Sequence, residues 1–258
     1  MKLEFLRLAE FIREQARGQP VSLLINPGNW GDALIRFGTE RFLETYDISF
    51  RRIYLDSSVK SRLGVYSAGL RGGVMLCMGS GSWCSHYNYL PRTIETIVKR
   101  WRFRSVIVMP STFESTYTIP NVIFFRRDNA ESALVMPNAE FCHDLAFFIG
   151  ALDSKAPTLP RIHCFRGDVE SSGEHIIPKD NIDLSARGSE QDNVYEFFEY
   201  LSRYKDVHTD RLHVAIGASL LGRNVHLYPG KYFKNKAIYS SSLVPFYPNV
   251  EWHDKFTG

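Results

Sequence analysis

Val21-Ser22-Leu23-Leu24-Ile25-Asn26 runs into Pro27-Gly28-Asn29-Trp30-Gly31-Asp32 and then into ALIRFGTERFLETY (33–46). The first piece is a short apolar run bounded by Pro27 and Gly28, the pattern of a parallel strand buried on both faces. The last has apolar residues at helical spacing, with Asp32 placed to cap it. Strand, glycine turn and helix in that order define one α/β unit. The pattern recurs in GGVMLCM (72–78), GSGSW (79–83) and the helical stretch around TIETIVKRW (93–101), followed by the strands SVIVMP (105–110) and NVIFF (121–125). Strands alternating with helices predict an α/β fold with parallel sheets.

Residues 151–160 carry two prolines among small and polar residues and read as a linker, which divides the chain into 1–150 and 151–258. Beyond it RIHCF (161–165) reads as a strand, 171–193 as a polar, aperiodic loop, VYEFFEYLSRY (194–204) as a helix, KDVHT (205–209) as a strand, RLHVAIGASLLG (211–222) as a helix and NVHLYP (224–229) as a strand. The second part is therefore also α/β, and about 100 residues is short for a full Rossmann-like domain.

A chain of 258 residues with 44% hydrophobic and 14% aromatic content buries substantial cores. Its 31 basic and 28 acidic side chains leave a formal charge of +3, too small to point to nucleic acid. Cys77, Cys84, Cys142 and Cys164 form no CxxC pair and read as reduced core thiols. The opening MKLEFLRLAEFIREQARG lacks the apolar core of a signal peptide, and no run is long enough to span a membrane. A cytoplasmic protein is expected. Phe5, Leu8, Phe11 and Ile12 share one helical face, which docks on the body or on a membrane surface.

Three motifs carry candidate chemistry. GNWGD (28–32) and GSGSW (79–83) each follow an apolar strand, at the carboxyl edge where open α/β sheets bind ligands. Each also serves as an ordinary tight turn. Trp83, His86, Tyr87 and Tyr89 supply aromatic surface with polar tips suited to a sugar, or fill a domain interior. In His208-Thr209-Asp210-Arg211-Leu212-His213, Asp210 is read as a helix cap, which gathers Arg211, His213 and free N–H groups into a site for phosphate or carboxylate. Asp32 is read as a cap or as a base. Arg166 and Asp168 follow a strand and are read as facing a cleft or as an exposed ion pair. No HExxH or paired-cysteine spacing is present, so no metal is expected.

The ordered set GNWGD, GSGSW, RRDNAES (126–132) and HTDRLHVAIGASLLGRNVHLYPGKYFKNKAIY (208–239) resembles the polysaccharide pyruvyl transferases. The resemblance implies two Rossmann-like lobes in a GT-B-like arrangement, with phosphoenolpyruvate bound in the cleft as co-substrate and no cofactor. It places Arg211, Leu212 and His213 on the donor, together with Arg127 or Arg126, Lys234 or Lys236, and the turn Gly79-Ser80-Gly81. Asn29, Trp30, Trp83 and His86 fall on the acceptor side, with His213, Arg211, His86 and Asp32 as candidates for the chemistry. The acceptor implied is a saccharide of an exopolysaccharide or capsule repeat, lipid-linked in some members. That gives the basic run Lys99-Arg100-Trp101-Arg102-Phe103-Arg104 a peripheral reading at the inner membrane face, beside its plain reading as a solvated helix end. The rivals are a nucleotide-sugar glycosyltransferase and a non-catalytic binding protein of the same fold.

Overall fold

The computed structural model describes residues 1–87 and 89–258. The chain forms two compact units, one of Met1–Pro27 with Gly38–Leu145 and one of Gly28–Phe37 with Ala146–Gly258. The division at Leu145 and Ala146 lies close to the break expected near 150. The segment Gly28–Phe37, expected with the first part, groups with the second.

The first unit contains α1 (Lys2–Ala16), β1 (Val21–Ile25), the later turns of α2 (Trp30–Thr45), β2 (Phe50–Tyr54), α3 (Val59–Leu70), β3 (Val74–Cys77), α4 (Tyr89–Arg100), β4 (Ser105–Ser111), β5 (Val122–Arg126), α5 (Glu131–Val135) and β6 (Glu140–Phe141). Its six strands are all parallel, in the order β2-β1-β3-β4-β5-β6. β1, β3 and β4 are buried along their whole length, as their unbroken apolar runs require. Because β1 and β3 are hydrogen-bonded neighbours, the chain leaves both at the same edge of the sheet. The strand order also reverses there, at a topological switch point.

Helix α1 packs Phe5, Leu8 and Ile12 into this unit, with Phe5 against Phe42 and Phe11 edge-on to Phe125. Its apolar face is therefore docked on protein. The basic run starts in the last turn of α4, where Lys99 pairs with Glu95 at 2.6 Å, and Trp101 then packs edge-on to Tyr66. Arg104 donates to the Gln15 carbonyl. All four cysteines are buried thiols outside any disulfide, and burial pushes the Cys77 thiol up to about 12.

The second unit contains β7 (Leu159–Cys164), α6 (Val194–Ser202), β8 (Tyr204–Thr209), α7 (Leu212–Leu220), β9 (Asn224–Leu227), α8 (Lys234–Ile238) and β10 (Val250–Trp252). Its four strands are parallel, in the order β10-β9-β8-β7. α7 is apolar almost all round and buries every residue except His213, the signature of a helix enclosed on all sides. The expected linker is held to the unit, with the Leu152 N–H donating to the Leu220 carbonyl and the Thr158 N–H to the Arg203 carbonyl.

No helix among the described residues is long and apolar enough to cross a membrane.

Candidate functional site

The GNWGD turn and the HTDRLH segment meet within the second unit. Asn29 precedes α2, and its Oδ1 accepts from the Gly31 N–H at 2.8 Å while Asp32 Oδ2 accepts from the Asn29 N–H at 2.9 Å. The two bonds cap α2 in the manner of a capping box, with the Asn29 side chain taking the N–H of the second helical residue in place of the third. Asn29 therefore takes the cap expected of Asp32, and Asp32 sits one turn in as its partner. Gly28 is confined by the same carboxylate, because a Cβ there would lie 2.1 Å from Asp32 Oδ2. Its N–H donates to Glu190 Oε2 at 3.0 Å.

Gly31 is confined by the other motif, since a Cβ there would lie 2.6 Å from His213 Nδ1. The first turn of α7 is thus laid against the first turn of α2, with the imidazole filling the space a side chain would need. We predict that Gly31→Ala displaces His213 and costs about 1–3 kcal/mol, the range for overpacking a tight contact. Urea denaturation gives the cost, and the His213 ring signals in a proton–carbon NMR spectrum report the displacement.

Arg211, and not Asp210, occupies the cap position of α7. Its N–H donates to Thr209 Oγ1, which itself donates to the Cys164 carbonyl. Asp210 is enclosed, with Oδ1 accepting from the Arg166 N–H at 2.8 Å and Oδ2 left without a hydrogen-bonding partner among the described residues. Burial raises its pKa to about 6, against the lowering effect of the Arg166 hydrogen bond and charge.

The Arg211 guanidinium holds Asp183 by two hydrogen bonds and Asp168 Oδ2 at 2.8 Å. Asp168 is also gripped by Arg166 at 2.8 and 3.1 Å, and Arg166 reaches Glu170, which accepts from Lys234 Nζ at 2.7 Å. Two arginines and a lysine are thereby interleaved with three carboxylates. Burial alone would raise the pKa values of Asp168 and Glu170, but the neighbouring cations prevail and lower both to about 2.

Several expected site residues lie elsewhere. Trp30 is buried in the second unit, its ring against Gly188 and Phe197 and its Nε1–H donating to the Asn193 carbonyl, so it offers no sugar platform. Leu212 puts its side chain in the core. As the first residue of α7 it has only a backbone N–H to offer a ligand. Lys234 joins the ion cluster, whereas Lys236 is exposed and stands 4.3 Å over the Trp252 ring.

In the first unit, Arg127 is fully enclosed. It donates from Nη1 to Asp144 at 2.5 Å and from Nε to Thr112 Oγ1 at 2.8 Å, which makes it a structural ion pair. Its neighbour Arg126 is half-buried over the Phe141 ring, with Nε and Nη1 lacking hydrogen-bonding partners among the described residues. Desolvation lowers its pKa. The GSGSW turn spends its groups internally: the Ser80 N–H goes to Ser111 Oγ, the Ser82 N–H to Ser80 Oγ, and the Ser80 carbonyl accepts from the Thr112 N–H. Gly79 and Ser80 are buried and Gly81 half-buried, so the turn does not form an open cradle. Trp83 is core, packed among Phe113, Tyr117 and Phe124. His86 is exposed beside Ser85, 3.3 Å from its Oγ.

Asp183, Glu170 and Glu190 complete the second unit's polar site without any sequence motif to mark them. Asp183 and Glu190 fall in the aperiodic stretch 171–193, where acidic residues look like ordinary solvated loop.

The fold and site define an α/β protein of two parallel sheets with a charged cluster at the first turn of a buried helix. No family model matches the chain, and no curated protein matches it. Among solved structures, a functionally uncharacterised protein from Klebsiella pneumoniae aligns with a TM-score of 0.78 at 27% identity, over 96% of this chain and 97% of that one. The α/β architecture is therefore shared with a protein of known structure. A periplasmic sugar-binding protein of an ABC sugar transporter from Legionella pneumophila aligns over 91% of this chain and 88% of that one, with a TM-score of 0.33 and 9% identity, too low to bear on the fold.

Proposed function

We propose that the chain is a phosphoenolpyruvate-dependent pyruvyl transferase acting on a saccharide, with a GT-B-like pairing of its two α/β units. The observation that supports this reading best is the meeting of two helix first turns at Gly31 and His213, with Arg211 at the head of one of them. Helix N-termini carry unpaired N–H groups and the positive end of the dipole. Beside them an imidazole and a guanidinium suit a small dianion bearing both a carboxylate and a phosphate.

Asp168, about one third exposed, is the more accessible of the two carboxylates on Arg211. In this reading the donor's carboxylate exchanges with it. Arg126 takes the role expected of Arg127, because it is half-buried with Nε and Nη1 lacking hydrogen-bonding partners among the described residues, whereas Arg127 is wholly enclosed and paired with Asp144.

The chemistry asked of the site begins with protonation of donor C3, which makes C2 electrophilic. A sugar hydroxyl then attacks C2 and gives up its proton. Phosphate leaves with the electron pair of its C–O bond, and a second hydroxyl closes the ketal with loss of its own proton. His213 is assigned to the phosphate and its proton. Asp210, its pKa raised to about 6 by burial, is a second group able to exchange a proton near neutral pH.

The test is thermal unfolding with phosphoenolpyruvate and, in parallel, with nucleotide diphosphates, followed by phosphate release in the presence of saccharide acceptors. A donor at 100 times its dissociation constant adds about 2.7 kcal/mol. Stabilisation by phosphoenolpyruvate that is lost in His213→Ala supports the reading. Stabilisation by a nucleotide diphosphate and none by phosphoenolpyruvate overturns it in favour of a glycosyltransferase.

A further inference from the structure

Three histidines of the second unit lie at matching positions on adjacent parallel strands. His163 on β7 pairs in register with His208 on β8, His208 with His226 on β9, and His226 with Glu251 on β10. Register partners share a sheet face, and the rings accordingly follow one another, with centroids 5.3 Å apart for His163 and His208 and 4.2 Å for the stacked pair His208 and His226. Glu251 lies on β10 and His253 one residue past its end, where its N–H still donates to the Leu227 carbonyl of β9, so the two are at the spacing that returns a side chain to the same face. In the sequence these residues look scattered. The sheet brings them together.

At the end of this row, His226 Nδ1 lies 2.9 Å from His253 Nε2, and Glu251 Oε2 lies 3.7 Å from the first and 3.5 Å from the second. We propose that His226, Glu251 and His253 form a binding site for a divalent transition-metal ion of the zinc class. The three atoms lie on a circle of radius about 2.0 Å, so an ion just above their plane reaches all of them at the ~2.0–2.2 Å typical of zinc bound by imidazole and carboxylate.

Two imidazoles and one carboxylate are a donor set that zinc accepts, with a fourth position left open. The rings are already oriented. His226 is stacked on His208, and His253 is stacked on Tyr228 with centroids 5.2 Å apart. Tyr228 in turn hydrogen-bonds His208 Nδ1 at 3.1 Å, which ties the two supporting rings to each other. Such outer contacts fix the orientation of the two ligand rings. The ion would also staple β10, a strand of only three residues at the sheet edge, to β9. The site is independent of the pyruvyl transferase reading, since none of its ligands belongs to the Arg211 and His213 cluster.

The experiment is calorimetric titration of chelator-treated full-length protein with zinc chloride, repeated for His253→Asn, Glu251→Gln and Glu114→Gln. The last addresses Cys84, His86 and Glu114, the other group of potential ligands found among the described residues. One ion per chain is expected, with affinity at least tenfold weaker in His253→Asn and Glu251→Gln and unchanged in Glu114→Gln. Glu251→Gln alters a side chain two thirds exposed, so the folded protein is retained even if His253→Asn is unstable. Cobalt(II) in place of zinc should give the visible absorption of a low-coordinate nitrogen and oxygen site. Absence of saturable zinc binding at micromolar concentration, binding that survives both His253→Asn and Glu251→Gln, or binding lost in Glu114→Gln instead would overturn the proposal.

Discussion

Arg127→Ala should destabilise the first unit by about 3–5 kcal/mol, the cost of removing one partner of a buried ion pair. The guanidinium is wholly enclosed and holds Asp144 and Thr112, so its loss leaves a carboxylate with no access to water in which to recover its solvation. The converse substitution, Asp144→Ala, strands the guanidinium and should cost a similar amount. Replacing both, as in Arg127→Met with Asp144→Leu, should cost less than either single change, because no charge is then left buried. Urea denaturation of the wild type and the three variants gives the three costs to be compared. A single substitution costing under about 1 kcal/mol would mean that water reaches the pair, since exposed pairs contribute only that much. The same result would return Arg127 to the list of ligand candidates.

The motif around Arg126 and Arg127 also shows what a sequence leaves undecided. Two adjacent arginines at a strand end point in opposite directions, because successive residues of a strand alternate between faces. One is taken up by Asp144, seventeen positions away, while the other lies over Phe141. Only the tertiary partner distinguishes them, and neither Asp144 nor Phe141 belongs to a recognisable pattern. The long apolar runs were readable because β1, β3 and β4 are buried on both faces, so composition alone specifies them. β2 was not, since FRRIY is a half-exposed outer strand with two arginines in its middle. The capping residues of α2 and α7 were each displaced from their expected positions. An acidic residue suits the first turn of a helix as well as its cap, and Asp32 uses that freedom to complete a capping box.

The meeting of GNWGD with HTDRLH was not legible, although both segments were. They are separated by about 180 residues and fall on opposite sides of the expected linker. The signal was present in negative form, as a glycine in the first turn of a helix, where it costs stability unless something approaches closely. Gly31 is that glycine, and His213 is what approaches it. Aromatic residues misled for the opposite reason. Trp30 and Trp83 flank glycine turns as sugar-binding tryptophans do, but a large apolar ring gains more from enclosure, and both were drawn into cores.

Arg211→Ala should cost about 2–4 kcal/mol at neutral pH, less than a fully enclosed pair because Asp168 and Asp183 keep some contact with water. The cost should shrink in acid. Asp168 and Glu170 have folded pKa values lowered to about 2, so they bind protons less readily in the folded state. The stability they contribute is present above the unfolded carboxyl range near 4 and is lost as pH falls through 2. Glu170, nearly enclosed between Arg166 and Lys234, supplies the larger share, roughly 3 kcal/mol for a shift of that size. Asp210 runs the other way. Its raised pKa keeps a proton on the folded state, so its contribution is present below about 4 and fades as pH rises through 6. Denaturation of the wild type from pH 7 down to 2 should therefore show a loss concentrated below about 4.5. The gap between wild type and Arg211→Ala should narrow over that range, because protonated Asp168 no longer needs the guanidinium. A gap that stays constant to pH 2 would show that Arg211 stabilises the unit by packing its side chain and not through its carboxylate partners.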